Sequence, residues 1–123
     1  YLLFENRKDI AVRELAALYN FEKRSNRTTF YFIGSFAGAC GWGQFIPSSL
    51  MNYFVDSNNI DDNIDIYDLE DCALSIENYL FNFGLNRENI NTPENMYKAI
   101  YAYNHSSTYV KAILYIYEGL LAL

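Results

Sequence analysis

Apolar positions recur at three- and four-residue spacing in five segments, and that period predicts amphipathic helices. The first spans residues 9–20, with Ala11, Val12, Leu15, Leu18 and Tyr19 on one side and Arg13 and Glu14 facing away. Residues 22–29 are polar and mixed in charge, which reads as a helix end and a loop. The short apolar run 30–33 reads as a strand or as an extended segment packed against helices, and the second is the expectation because it leads straight into a glycine cluster. Ile46-Pro47-Ser48-Ser49 starts a second helix, since proline fits a first turn and serine is able to cap exposed amides. Leu50, Met51 and Phe54 give it a short apolar face. Residues 56–68 are acidic and aperiodic, a long loop. Asp68 with Asp71 three residues on approximates a capping box; Cys72, Ala73, Ile76, Leu80 and Phe83 follow, and Gly84 stops the helix. Thr92-Pro93 opens a helix carrying Met96, Ile100 and Tyr103. From Thr108 a last helix carries Val110, Ile113, Leu114 and Tyr117 and stops near Gly119. With no repeat and no hairpin signal, helix packing is the economical way to bury these stripes, so the fold class expected is all-α in a single domain.

One stretch breaks the periodicity. Residues 34–48 hold four of the six glycines, and glycine loses the most backbone entropy on ordering. Such a cluster implies a sharp turn, a close approach or room for a ligand. Small residues flank Phe36 and Trp42, which suits a tight chain crossing with two aromatic plugs. Gln44 is the one long polar side chain inside the stretch, and its amide needs partners from protein or ligand.

Composition narrows the function. The 123 residues carry a net charge of −6 with no basic run, which argues against nucleic acid and against an anionic bilayer. Aromatic residues make up 18%, including 12 Tyr; tyrosine suits a wet core boundary or a groove for ring-shaped ligands, and AT-rich codon usage explains the excess equally well. Cys40 and Cys72 lack metal-ligand spacing, and one histidine is too few for a Cys/His zinc site. A disulfide between them is conceivable and not required; buried thiols are the expectation. No twenty-residue apolar stretch exists, so no transmembrane segment is expected.

The pattern Gly34-Ser35-Phe36-Ala37-Gly38-Ala39-x-Gly41-x-Gly43-Gln44-Phe45-x-Pro47-Ser48-Ser49 resembles the B-type family of peptidoglycan lytic transglycosylases. The resemblance continues through Val55-Asp56, Asp65-Ile66-Tyr67-Asp68, Asp71-Cys72-Ala73, Ser75-Ile76-x-Asn78-Tyr79-Leu80 and Phe83-Gly84. It ends in Tyr103-Asn104-His105-Ser106-x-x-Tyr109-Val110. It implies a lysozyme-like, goose-type domain that cuts between N-acetylmuramic acid and N-acetylglucosamine, leaving 1,6-anhydromuramyl ends. The chemistry so implied uses one glutamic acid with a raised pKa and neither a metal nor a second carboxylate. By the same resemblance Ser35 is a hydroxyl near the acid, Gln44 contacts sugar, and Tyr103, Asn104 and Tyr109 line the groove. Each keeps a plainer reading, with Tyr103 as core and Asn104 as a helix cap. Peptidoglycan strands are the implied partner, the location implied is extracytoplasmic, and a monomer is expected.

Two features depart from the family. Its catalytic glutamate lies several tens of residues before the glycine motif, whereas Gly34 is preceded by few. Arg13-Glu14-Leu15 resembles a later, non-catalytic helix; Glu5 is the candidate acid within the chain, but it is too close to the motif and lacks the usual followers. The expectation is therefore the C-terminal part of such a domain without its N-terminal helices, with the acid upstream of Tyr1, half a cleft and little activity by itself. A catalytically inactive glycan-binding or cell-wall scaffold module is the alternative; a helical module meeting a protein partner is a third reading. Some relatives carry an EF-hand-like loop, and by position Asp56, Asn59, Asp61, Asn63 and Asp71 offer oxygen ligands for calcium. Asp62 replaces the turn glycine of that pattern and Ile60 another, so a metal-free loop is expected.

Overall fold

The computed structural model describes residues 7–58 and 64–123, so Glu5, Asn59, Asp61 and Asn63 lie outside the described residues. Among the described residues five helices follow in order: α1 (Lys8–Ser25), α2 (Pro47–Tyr53), α3 (Leu69–Asn82), α4 (Pro93–Tyr103) and α5 (Ser107–Leu121), with a 3-10 turn at Thr29–Tyr31. Among the described residues, extended backbone pairs only in two isolated antiparallel bridges, 34 with 40 and 40 with 45. The fold is all-α. The chain divides into two compact units, Tyr1–Asn78 and Tyr79–Leu123.

In the first unit α1 packs on α2. α1 continues past residue 20 because Phe21 and Ser25 are both buried, and the Ser25 hydroxyl donates back to the Phe21 carbonyl at 2.9 Å. Asn26 ends the helix in the left-handed region at φ 51°. The apolar stripe expected to face the core does so only at Ala11; Val12, Leu15 and Tyr19 are exposed. The core is built on Phe21 instead, whose ring sits 6.0 Å from Phe54 and 5.7 Å from Phe32. Phe45 meets Phe54 edge-on at 5.7 Å. Each such ring removed from water contributes roughly 1.5–3 kcal/mol. The run 30–33 begins in the 3-10 turn, which takes Phe30 and Tyr31; Phe32 then packs on Phe21 of α1, while Phe30 and Ile33 face solvent.

Charges on α1 hold both ends of α2. The Glu14 carboxylate accepts the Ser48 N–H at 2.9 Å, so Ser48 is capped and does not itself cap. Arg24 donates to the Met51 carbonyl at 3.1 Å and the Phe54 carbonyl at 2.8 Å. Asp68 begins α3 as expected, its Oδ1 accepting the amides of Glu70 and Asp71. The capping box does not close, because the Asp71 carboxylate is engaged elsewhere.

In the second unit α3 ends where Gly84, at φ 102°, lets the Leu85 N–H reach the Leu80 carbonyl and the Gly84 N–H the Phe81 carbonyl, a Schellman closure. α4 packs on α5. Leu85, Ala99, Ile100 and Val110 are buried in this unit. Thr92 makes no side-chain cap, so Pro93 carries the start of α4. The Ser106 hydroxyl caps α5 by accepting the Tyr109 N–H at 3.3 Å, and α5 runs through Gly119 to Leu121.

Candidate functional site

The glycine-rich stretch folds as two consecutive turns. In the first, Ser35 N–H donates to the Ala39 carbonyl at 2.8 Å, Gly38 N–H donates to the Ser35 carbonyl, and the Ser35 hydroxyl accepts the Ala39 N–H at 3.1 Å. In the second, Cys40 and Phe45 exchange both backbone bonds at 2.8 and 3.1 Å. Gly41 is required between them. Its φ is +69°, and a Cβ there would lie 2.5 Å from the Ile66 carbonyl oxygen. Gln44 takes a left-handed φ of 51° without being glycine, a strained choice of the kind that accompanies function.

Ser35 lines a cavity of about 280 Å³ with Gly34, Phe36, Gly38, Leu15 and Glu14. Its lining is mostly apolar, and among the described residues Glu14 is the one carboxylate in it. That carboxylate already holds the Ser48 amide. Gln44 does not line this cavity. Its side chain is exposed, with Nε2 donating to the Gly41 carbonyl at 2.9 Å. The amide oxygen is therefore the group Gln44 presents. Phe36 and Trp42 are not plugs: they are 97% and 66% exposed.

A hydrogen-bonded segment supports the second turn. Trp42 N–H donates to the Ile66 carbonyl and its indole N–H to the Tyr67 carbonyl. The Tyr31 hydroxyl and the Tyr67 amide both donate to Asp65 Oδ1, at 2.7 and 2.9 Å, and Arg27 lies 3.5 Å from Asp65 Oδ2. Burial first, and then this hydrogen bond to a carboxylate, raise the Tyr31 pKa to about 12. No periodicity signals this network, because its members are far apart in sequence.

Cys40 and Cys72 are free and buried. Burial pushes both thiols up, offset in part at Cys72 by the Gly43 and Trp42 amides, so neither is a ready nucleophile. In the acidic loop, Asp71 accepts Ser57 N–H at 2.8 Å on one oxygen and Asp65 N–H at 2.9 Å on the other. Asp56 is buried, and its Oδ2 has no hydrogen-bond partner among the described residues. Both Asp71 oxygens are thus committed to backbone amides, and among the described residues no group of three metal-ligating side chains occurs.

Tyr103, Asn104 and Tyr109 belong to the second unit. Tyr103 packs edge-on against Tyr79 at 5.0 Å, and the Tyr79 hydroxyl donates to the Ala102 carbonyl. Asn104 ends α4 with its backbone N–H on the Ile100 carbonyl. Its side chain is exposed and makes no bond among the described residues, since Ser106 supplies the cap of α5. Tyr109 is half-buried on the first turn of α5.

Comparison with known proteins bears on this arrangement. The family described as Transglycosylase SLT domain matches residues 2–95. Over 46 residues the chain is 50% identical to the membrane-bound lytic murein transglycosylase B of Escherichia coli (strain K12), a match that spans 37% of this chain and 12% of that protein. No solved structure matches.

Proposed function

The chain belongs to the transglycosylase SLT domain family, and from that premise we propose that it serves lytic cleavage of peptidoglycan between N-acetylmuramic acid and N-acetylglucosamine, leaving 1,6-anhydromuramyl ends. The observation that carries this reading is the rigid double turn, which sets Ser35 in a cavity wall and turns the Gln44 amide oxygen outward. A hydroxyl and an amide oxygen held by backbone bonds suit the N–H and O–H groups of an N-acetylated sugar, and they are oriented before the ligand arrives. Asn104, with its side chain uncommitted, and the Tyr103 and Tyr109 rings are the groups of the second unit assigned to glycan contact. The reaction itself needs a carboxylic acid to protonate the glycosidic oxygen. That proton is not assigned to Glu14, whose carboxylate ties down α2.

A binding-only role is the second reading: the Ser35 hydroxyl and the Gln44 amide oxygen would serve it without any acid. Peptidoglycan as substrate implies work outside the cytoplasm. No helix of the described residues is long and apolar enough to cross a membrane.

Incubating the full-length protein with purified peptidoglycan and reading the released ends by mass spectrometry separates the readings. Anhydromuramyl ends support the transglycosylase. Glycan retained without new ends supports a binding module, and hydrolysed reducing ends alone rule out the intramolecular mechanism.

A further inference from the structure

Trp42 is the chain's single tryptophan and it faces solvent, 66% exposed, although an indole is a large apolar surface to leave in water. Its posture is set by the protein. The Trp42 backbone N–H donates to the Ile66 carbonyl at 3.1 Å, and the indole Nε1–H donates to the next carbonyl, of Tyr67, at 2.9 Å. Two successive carbonyls thus hold both the root and the edge of one side chain. Gly41 permits this approach, since a Cβ there would meet the Ile66 carbonyl. The accepting segment is anchored in turn: Asp65 takes the Tyr67 amide and the Tyr31 hydroxyl, and the Tyr67 hydroxyl accepts the Ile33 amide at 3.0 Å.

With its only polar hydrogen spent on Tyr67, the indole offers a π face and little else. No ring or cation of the described residues covers that face. The ligand chemistry matching a fixed π surface beside an amide oxygen is a ring with polarised C–H groups on one face and hydrogen-bond donors at its rim. A β-linked N-acetylated pyranose has that form, and Gln44 lies in the same turn as Trp42. We propose that Trp42 is a stacking platform for one sugar ring of a glycan strand, seated next to Gln44. This rests on the glycan reading above and adds to it a residue and a mode of contact.

Because no other tryptophan is present, Trp42 emission reports on this contact alone. The probe is the tetramer of β-1,4-linked N-acetylglucosamine, with binding measured independently by calorimetry. The expected result is a blue shift of emission and reduced acrylamide quenching on saturation. Trp42→Ala should weaken binding about three- to tenfold, the range of one aromatic contact, while Trp42→Phe, which keeps a ring, recovers most of it. Circular dichroism of each variant checks the fold. Calorimetric binding with emission unmoved and Trp42→Ala at parental affinity overturns the platform and leaves the glycan reading standing. No binding of the tetramer or of purified glycan strands overturns both.

Discussion

Glu14 and Arg24 hold opposite ends of a helix to which neither belongs: the carboxylate takes the Ser48 amide at the start of α2, and the guanidinium takes the Met51 and Phe54 carbonyls at its end. α2 has seven residues, too few to be stable alone. Each charge also has the sign that the adjacent helix terminus favours.

Removing either partner should loosen α2 and with it Leu50 in the core. Glu14→Ala is expected to cost about 1–2 kcal/mol as a lost charge-assisted cap, and Arg24→Ala a similar amount. Glu14→Gln, which keeps an acceptor, should cost about half as much. Urea unfolding of the two alanine variants and their double reads the effect, and near-additive losses are expected because the contacts lie at separate ends. A parental midpoint for Glu14→Ala would remove the capping role.

How far the fold is legible in the residues depends on the range of the interaction. Local chemistry is visible: Asp68 caps α3, Gly84 ends it, and Pro93 opens α4, each within a few positions of its partner. Facing is less visible. Val12, Leu15 and Tyr19 keep helical spacing, yet the core is built on Phe21, farther along the same helix. Asp71 has the spacing of a capping box, but its oxygens satisfy the amides of Ser57 and Asp65, a long-range choice that spacing does not encode. At the site, the glycine pattern marks the double turn and Ser35. The fixed indole of Trp42 follows from contacts with residues 66–67 and, like the left-handed backbone of Gln44, is silent in a linear pattern.

Gly41 and Gly38 separate two causes of a glycine requirement. Both have positive φ, but a Cβ at Gly38 meets nothing within 4 Å, whereas at Gly41 it collides with Ile66 backbone. Gly38→Ala should therefore cost about 1 kcal/mol from backbone strain alone. Gly41→Ala should cost roughly 3 kcal/mol or more, since the Ile66–Tyr67 segment must also move. Equal midpoints in chemical denaturation would show that the close approach carries no weight.

Gln44 allows structure and binding to be pulled apart. Substitution by glycine relieves the strain of φ 51° while deleting one side-chain hydrogen bond, so Gln44→Gly should leave stability within about 0.5 kcal/mol. Loss of the amide oxygen should nevertheless weaken binding of the N-acetylglucosamine tetramer about fivefold or more. Lys23→Ala, on the exposed end of α1, serves as the reference. Equal affinities for the two variants would make Gln44 purely a turn residue.

Tyr31 gives the supporting network a pH signature. Its folded pKa of about 12 stands above the ordinary value near 10, so the folded state holds this proton more tightly than the unfolded chain. The resulting stability is fully present below pH ~10 and is lost as the pH rises toward ~12. Tyr31→Phe should lower stability at pH 8 and flatten its decline over that alkaline window. A parental decline in the variant would assign the titration to other groups.

Asp71 should make calcium unnecessary to the acidic loop. Its oxygens bridge the Ser57 and Asp65 amides, tying together the flanks of residues 59–63, which is the work a bound cation would otherwise do. A ligand role would require giving up those part-buried amides, each costly to leave unpaired. Asp71→Asn trades an acceptor for an NH2 group that faces a backbone N–H, so it should destabilise by about 2–3 kcal/mol. The melting temperature should not differ between added calcium and added chelator, because a ligand that binds the native state raises it by mass action. A rise of several degrees with calcium would instead make the unpartnered Asp56 Oδ2 a metal ligand, and Asp56→Asn would then abolish the rise.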